Sequence, residues 1–529
     1  MHKPSSDHSI HTPIDKVEKN HLPKKSFRVS AKRPIRWPEY LALIFLTICC
    51  HAPVLQSGLL WTEYDQVERS SFQSIETWTE IWTSSEYLKD DPITLSSYFL
   101  EQALPLPTPV IHHSINLLLH IFSVVILFKI LTTLKLPAAF CASLVFALHP
   151  CALQTIFWSG YRTELVALIL LLIALFIGII NKGVKGFIGL MSVCLIAYWL
   201  HPANLFLPII IGFCIFYQKT TFELKDYNRL LPLIFLAFFV GIFVHSKESG
   251  IQYYIGEQIN ISAHNLFFFI NQALVPSNLS LFHPIGESNN LKFGGFINLL
   301  PFLFIATCYF IIIPNYKKSW ARGLLLGLSS YILLSMYSLF TFGSFIDGTL
   351  AQVNFNQHIA LPAILCTCIC SLRSVTRKMG TSGSILWWFG FSMLTIIQFS
   401  FTNLYARSLS NRAQMWYDIS EQWPNSLLPK LALLHTTQNS DAESDLLTQN
   451  QSIDLLENIL QQQPSLISER KLLARIYRKL GQNTNAIRHY KHILRETEPN
   501  NKFLSEAADF YDSLTLNWEA EKARQRIKK

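Results

Sequence analysis

Charged residues are scarce in this sequence, making up 15% of its 529 residues, whereas soluble proteins carry about a quarter. Apolar residues make up 50%, with 38 Phe among them, and the mean hydropathy is positive at +0.27. The charges are dense in residues 1–38, 57–107 and 404–529 and thin in between. This distribution excludes a single soluble globular domain and predicts an all-α polytopic membrane protein with soluble appendages.

Cysteine is absent from the three charge-rich segments, because all ten cysteines lie in or at the ends of apolar segments. Cys366, Cys368 and Cys370 alternate at a spacing that scatters their thiols around a helix, which does not suit a metal site. Neither a disulfide framework nor a zinc module is therefore predicted.

The first 38 residues lack an apolar core and hold nine Lys or Arg against three acids. We interpret residues 1–38 as a basic cytoplasmic arm before a first membrane anchor, not as a cleaved signal peptide. Residues 39–403 then form the predicted membrane domain. Its eleven apolar windows are 39–56, 109–132, 138–157, 163–181, 185–201, 203–218, 229–246, 296–314, 320–342, 356–373 and 384–403. Each is about as long as a membrane span, except that 203–218 is rather short.

Basic residues of the short loops set the orientation of these spans. With residues 1–38 inside, the loop 57–107 lies outside and holds nine acids against two bases, while every basic short loop falls inside. The stretch 261–280 could be a twelfth span, but counting it would move two basic loops outside, so we interpret it as an in-plane or partly inserted helix. Eleven spans make residues 404–529 extracytoplasmic, and the span count of eleven against twelve stays open.

Residues beyond 440 repeat with a period of 34. Ala474, Tyr477 and Ala486 recur as Ala508, Tyr511 and Ala520, and 452–464 aligns one period before 486–498. Small residues where paired helices meet and aromatic residues between them are typical of tetratricopeptide repeats, an α-solenoid that binds polypeptides. About three repeats are predicted, with 415–424 as a capping helix, and the nearly neutral charge of the domain gives no indication of nucleic-acid binding.

Polar residues gather on the predicted outer side of the membrane. His113, Asn116 and His120 follow one another at i, i+3 and i+7 on one face of the second span, with His112 beside them. His149, Arg162 and Glu164 lie at or near the outer ends of the third and fourth spans. Ionisable groups at membrane depth mark a cavity unless they are paired or solvated.

These residues predict a site for a lipid-borne substrate. Glu63 or Asp65, close to the exit of the first span, could take a proton from an acceptor hydroxyl. Arg162 with His112, His113 or His149 could receive a leaving phosphate. Three alternatives stay open: Asn116 and His120 as hydrogen-bonding contacts between helices, Arg162 and Glu164 as interfacial anchors, and most loop acids as a solvated surface.

Five short blocks and the C-terminal repeats carry a resemblance to a known family. The blocks are HHSINLLLH (112–120), LVFALHP (144–150), WSGYRTEL (158–165), LVPSNLSLF (274–282) and ALP (360–362). From about residue 39 to the end, the chain resembles the membrane O-mannosyltransferase-like proteins with tetratricopeptide repeats, in the GT-C glycosyltransferase superfamily. The resemblance implies a polyprenyl-phosphate-linked sugar donor, transfer on the extracytoplasmic face and a carboxylate base in the first outer loop.

The chain departs from that family at five charged positions. The residues found there are Trp61-Thr62-Glu63, Asp91-Pro92, Gln154, His201-Pro202 and Asn356-Gln357. Two functions stay open: a divergent glycosyltransferase of a bacterial inner membrane, or a non-catalytic membrane scaffold that gathers protein partners through its repeats. A transporter is disfavoured because no inverted repeat is visible. No cofactor is required by the sequence, and a divalent metal remains an option.

Overall fold

The computed structural model describes most of the membrane domain and of the C-terminal region. The described residues are 36–59, 75–83, 92–101, 104, 108–181, 183–219, 227–244, 255–276, 279–281, 283–284, 300–340, 344–346, 349–352, 357–438, 449–496 and 501–527.

The described chain is almost entirely helical. Fifteen α-helices precede the C-terminal region: α1 Trp37–His51, α2 Ile75–Thr83, α3 Pro92–Glu101, α4 Thr108–Thr133, α5 Ala139–Ala147, α6 Pro150–Phe157, α7 Arg162–Ile180, α8 Val184–Leu200, α9 Leu207–Gln218, α10 Leu231–Phe243, α11 Ile255–Leu274, α12 Leu300–Ile312, α13 Ser319–Phe340, α14 Leu361–Lys378 and α15 Gly380–Ser408. Short 3-10 turns extend several of them, as Ala52–Gln56 does for α1.

A small antiparallel sheet is the exception to the helical fold. Its strands are β1 His283–Pro284, β2 Ser344–Ile346 and β3 Thr349–Gln352, in the order β1-β3-β2. Ser344 pairs with Ala351, and His283 pairs with Gln352. The sheet ties together segments that follow α11 and α13.

All eleven apolar windows contain helices, but fewer helices meet the length and hydropathy expected of a full span. Five described helical segments do so: Trp37–Gln56, Thr108–Thr133, Ser159–Ile180, Ser319–Leu339 and Gly380–Ser408. The bent pair of α5 and α6 makes a sixth if it is counted as one span. Four further apolar segments are shorter: Val184–Leu200, Pro202–Gln218, Asn228–Phe243 and Leu300–Asn315.

The window 138–157 is a broken helix, not the single straight span that its hydropathy predicts. α5 ends at Ala147, α6 begins at Pro150, and their axes differ by 50°. Proline has no N–H and its ring clashes with the carbonyl four residues earlier, so the helix cannot continue through Pro150. The carbonyl and N–H groups at the break lose their hydrogen-bond partners within the helix, so they require partners elsewhere.

Residues expected outside and inside lie at opposite ends of the bundle. The first half of α4, the end of α6 and the turn that leads into α7 share one end with Val54 and with the first C-terminal helix, through a common apolar cluster that includes Leu117, Phe157 and Trp416. Arg412 Nη1 also donates to the Leu59 carbonyl at 2.6 Å. At the opposite, basic end, Arg322 near the start of α13 links to the end of α9, because its Nη1 donates to the Lys219 carbonyl at 2.8 Å.

The C-terminal region consists of helices that pack on their sequence neighbours. They are α16 Arg412–Gln422, α17 Leu427–Gln438, α18 Gln449–Gln462, α19 Ile467–Lys479, α20 Asn483–Glu496, α21 Asn501–Ser513 and α22 Asn517–Ile527. Helices begin at 449, 483 and 517 and at 467 and 501, so their starts recur every 34 residues. All six residues that defined the period, from Ala474 to Ala520, are buried, and all of them except Ala508 belong to one apolar cluster.

Candidate functional site

Three helices bring a carboxylate, a guanidinium and an imidazole together at the end of the bundle that carries the C-terminal region. Arg162 Nη1 pairs with Glu101 Oε1, and His112 Nδ1 pairs with Glu101 Oε2. Arg162 Nε also donates to Asn116 Oδ1 at 2.8 Å, Nη1 to Ser97 Oγ, and Nη2 to the His112 carbonyl at 3.3 Å. We call Ser97, Glu101, His112, Asn116 and Arg162 the Glu101 cluster.

Helical spacing and helix ends position this cluster. Ser97 and Glu101 lie four residues apart on α3, and His112 and Asn116 lie four residues apart on α4, so each pair shares a helix face. Arg162 opens α7, where the helix dipole disfavours a cation. The Glu101 carboxylate offsets that cost, since a buried cation needs a partner of opposite charge.

Burial at 1% exposure does not match an interfacial anchor for Arg162, whose guanidinium donates to the side chains of Ser97, Glu101 and Asn116 and to the His112 carbonyl. Glu101 is 4% exposed and is the residue that sequence reasoning missed. It belongs to the acidic loop whose charges were expected to be a solvated surface. Its apolar neighbours on α3 and its position just before the second span were the available signal.

One nitrogen of His112 remains uncommitted within this cluster. Glu101 fixes Nδ1, while Nε2 is buried and has no hydrogen-bond partner among the described residues. The ring packs on Tyr98 with centroids 4.5 Å apart, and the Tyr98 hydroxyl is 2.8 Å from Ser159 Oγ. General bases commonly have one imidazole nitrogen oriented by a carboxylate and the other nitrogen without a protein partner, and His112 has this arrangement among the described residues.

His113, Asn116 and His120 lie on one face of α4 and are all buried, as the spacing predicts. That face packs on the broken helix. His113 stacks on Phe157 at 5.7 Å, Asn116 Nδ2 donates to the Ile156 carbonyl at 3.2 Å, and His120 Nε2 is 3.3 Å from the Ala147 carbonyl. Asn116 and His120 therefore make hydrogen bonds between helices.

His149 occupies the break itself. Its Nδ1 accepts from the Cys151 N–H at 3.3 Å, which caps the start of α6, and its Nε2 is 3.1 Å from the Ala273 carbonyl. Both contacts are with backbone, so in this conformation His149 holds the break and α11 together. It is not part of the Glu101 cluster.

Glu164 forms a separate pair with His201, with 3.1 Å between His201 Nε2 and Glu164 Oε1. The Glu164 side chain is 14% exposed, which does not match a solvated anchor. His201 also caps the following turn by accepting from the Ala203 N–H at 3.1 Å. The two predicted bases, Glu63 and Asp65, lie outside the described residues.

No protein-family model matches this sequence, and no curated protein is similar enough to count as a relative. Within the described ranges, no group of three His, Cys, Asp or Glu side chains could hold a metal ion. The chemistry of the site therefore has to be inferred from the Glu101 cluster and its surroundings.

Proposed function

We propose that this chain is an integral-membrane glycosyltransferase, a divergent relative of the GT-C superfamily. It transfers a sugar from a polyprenyl-phosphate donor to a hydroxyl group of an extracytoplasmic polypeptide. The observation that supports this function is the Glu101 cluster, which combines an oriented imidazole with a buried guanidinium. The cluster lies at the end of the bundle where the C-terminal region also packs.

The reaction is a single inverting displacement. The acceptor oxygen forms a bond to the anomeric carbon while the bond from that carbon to the phosphate oxygen breaks. His112 Nε2 takes the hydroxyl proton, and Glu101 stabilises the imidazolium that forms. Glu63 and Asp65 remain the alternative bases that the sequence predicts.

Arg162 contributes positive charge beside the departing lipid phosphate. Its guanidinium carries five N–H donors, so it can bind a phosphate oxygen while it keeps part of its contact with Glu101. His113 and His149 are assigned to structure in this proposal because their contacts are with a ring and with backbone. The apolar faces of the spans accommodate the isoprenoid tail.

The C-terminal helices present the acceptor polypeptide. Their recurring starts and buried small and aromatic residues support a tetratricopeptide solenoid. In this orientation residues 1–38 are cytoplasmic and residues 404–529 are extracytoplasmic, in a bacterial inner membrane. Trp416 and Ile419 of α16 belong to the same apolar cluster as Trp158, which supports an acceptor-presenting region at this end of the bundle.

A membrane scaffold is the second candidate, and a specific observation favours it. Glu101 and Arg162 neutralise each other, whereas a site waiting for phosphate needs an excess of positive charge. The five charged positions absent from the resemblance point the same way. A scaffold would use the C-terminal region to gather partners of envelope assembly and would bind no sugar donor.

Identification of the co-purifying lipid tests the proposal. The full chain is purified in mild detergent, and bound lipids are extracted and analysed by mass spectrometry. The transferase predicts a polyprenyl phosphate at a stoichiometry near that of the protein, lowered on the order of tenfold in Arg162→Met. Repeated preparations without any polyprenyl phosphate would support the scaffold.

A further inference from the structure

A long apolar cavity opens at the basic end of the bundle, remote from the Glu101 cluster. Its volume is about 970 Å³, and its walls come from α4, α7, α9, α13 and α14. Leu131, Leu172, Ile210 and Leu334 are typical of its lining. This volume is at the upper end of the range for sites that bind small molecules.

The cavity is deep enough for a lipid chain. Its lining on α14 runs from Pro362 to Lys378, which corresponds to about 24 Å along the helix axis. Half of the bilayer hydrocarbon is about 15 Å thick. The lining is therefore long enough for an acyl chain from one leaflet to lie along it.

Three cations line the basic end of this cavity: Lys135, Arg377 and Lys378. Among the residues that the structure describes, none of the three forms an ion pair, and all three are exposed. A phosphate group at this position would meet positive charge without displacing a carboxylate.

Lys135 has an unusual backbone for a residue with a side chain. It follows α4 with φ at +58°, and the next N–H, of Leu136, returns to the Leu131 carbonyl at 3.0 Å. Glycine is the usual residue at this left-handed position after a helix, because a Cβ crowds the backbone there. A residue with a cationic side chain therefore occupies this position, at the mouth of the cavity that it lines.

We propose that this cavity binds an anionic glycerophospholipid, with its phosphate at Lys135, Arg377 and Lys378 and an acyl chain between α4, α7 and α14. In the orientation proposed above, this end faces the cytoplasmic leaflet, where anionic lipids meet basic pockets between membrane helices. The site is distinct from the donor site at the Glu101 cluster. It needs the membrane orientation but not the transfer reaction.

Native mass spectrometry of the full chain tests this site. The detergent-purified protein is mixed with dioleoylphosphatidylglycerol or dioleoylphosphatidylcholine, and the bound fraction is counted. We expect preference for phosphatidylglycerol, and we expect K135Q/R377Q/K378Q to lower its affinity by on the order of a hundredfold, because the lipid phosphate loses all three cations. K185Q/K317Q/K318Q is the matched control, because these lysines do not line the cavity, and it should bind as the wild type does.

A second variant fills the cavity without changing charge. Gly323 lines it, and a Cβ added there would have only an ordinary contact with Tyr217 at 3.7 Å, so Gly323→Leu is chosen to place a side chain in the space of the acyl chain. It should weaken binding of phosphatidylglycerol by at least about tenfold. Equal binding of the two lipids, wild-type affinity in both test variants, or displacement of phosphatidylglycerol by polyprenyl phosphate would overturn the proposal. Transfer activity does not enter these readouts, so failure here is distinguishable from failure of the proposed enzyme.

Discussion

Glu101 and Arg162 form a buried ion pair. Each charge depends on the other to remain buried, while the pair as a whole adds little net stability. Taking either charge out of water alone costs several kcal/mol, which the partner offsets. The pair also fixes His112 through the second carboxylate oxygen. Removing one member should therefore harm the fold more than removing both.

Glu101→Gln should lower the free energy of unfolding by about 3–5 kcal/mol, because the Arg162 guanidinium is left without a counter-charge. Glu101→Gln combined with Arg162→Met should recover most of that loss. Tryptophan fluorescence during unfolding of the full chain in mixed micelles measures both. Arg407→Met, which removes an exposed guanidinium bonded only to Asn403 among described residues, is the control and should change stability little. If the losses of Glu101→Gln and of Arg162→Met, each measured alone, simply add in the double variant, the two charges do not depend on each other.

At the residue scale, the sequence predicted which positions are polar at membrane depth but not which of them pair. The face of α4 that holds His113, Asn116 and His120 was predictable because helical spacing is local. The partner of Arg162 was not, because Glu101 lies 61 residues earlier and meets it only through the packing of α3 on α4 and α7. Glu63 and Asp65 stay predictions.

At the scale of elements, the break between α5 and α6 is held by side chains of other helices. Gln398 Nε2 donates to the Val145 carbonyl at 2.9 Å, and Thr402 Oγ1 donates to the Leu148 carbonyl at 2.7 Å. His51 Nε2 is 3.0 Å from the Ala147 carbonyl. These carbonyls would otherwise be unsatisfied in an apolar environment, where each would cost several kcal/mol.

Thr402→Val removes one of these donors with little change in shape. We expect the free energy of unfolding to fall by about 1–2 kcal/mol, because the Leu148 carbonyl loses its donor. Thr395→Val on the same helix is the matched control, since Thr395 donates only to the Phe391 carbonyl within its own helix. Thermal unfolding of both variants in the same detergent makes the comparison. Equal stability of the two variants would show that the break does not depend on this hydrogen bond.

His489 makes the C-terminal helices sensitive to acid. Burial, followed by the nearby positive charge of Arg470, lowers its pKa from 6.5 to about 4. Between about pH 6.5 and pH 4, His489 is therefore protonated in the unfolded chain but remains neutral in the folded chain. The free energy of unfolding falls as the pH falls through that window. Because His489 is partly exposed and its charge is screened by solvent, the free energy of unfolding falls by only on the order of 1 kcal/mol.

Hydrogen exchange of peptides from α20 in the full chain measures this effect after correction for the intrinsic pH dependence of exchange. Protection should decline between pH 6.5 and pH 4 in the wild type. His489→Gln should show a smaller decline, because it removes the titrating group. The same decline in the variant would assign the acid sensitivity to other groups.

Regular elements were better predicted from the sequence than irregular ones. The period of 34 and its buried residues agree with the helix starts, because repeated local contacts leave a repeated pattern. The break at Pro150 was missed, because hydropathy averages over a window and does not register a missing N–H. The His149-Pro150 pair was the signal that could have revealed it.

At the scale of the whole molecule, the two ends of the bundle differ in charge and in what packs on them. Five described helices are long and apolar enough to cross a membrane, while the eleven spans of the sequence prediction include shorter helices. Alkaline phosphatase fused after Lys529 should be active, because the basic loops all lie inside only if residues 404–529 are outside. A fluorescent cytoplasmic reporter at the same position serves as the reciprocal test. An inactive phosphatase together with a fluorescent reporter would reverse the orientation.

Sugar transfer by the reconstituted full chain tests the central claim most directly. Proteoliposomes receive a radiolabelled polyprenyl-phosphate mannose and a periplasmic protein fraction, and label in protein is counted at matched enzyme levels. The wild type should transfer label, and His112→Gln and Arg162→Met should each reduce the rate by on the order of a hundredfold. Glu63→Gln and Asp65→Asn in the same assay separate the alternative bases, since an amide cannot take a proton at neutral pH. Wild-type rates in His112→Gln and Arg162→Met would contradict the site, and no transfer by the wild type from mannose or other polyprenyl-phosphate sugars would contradict the enzyme.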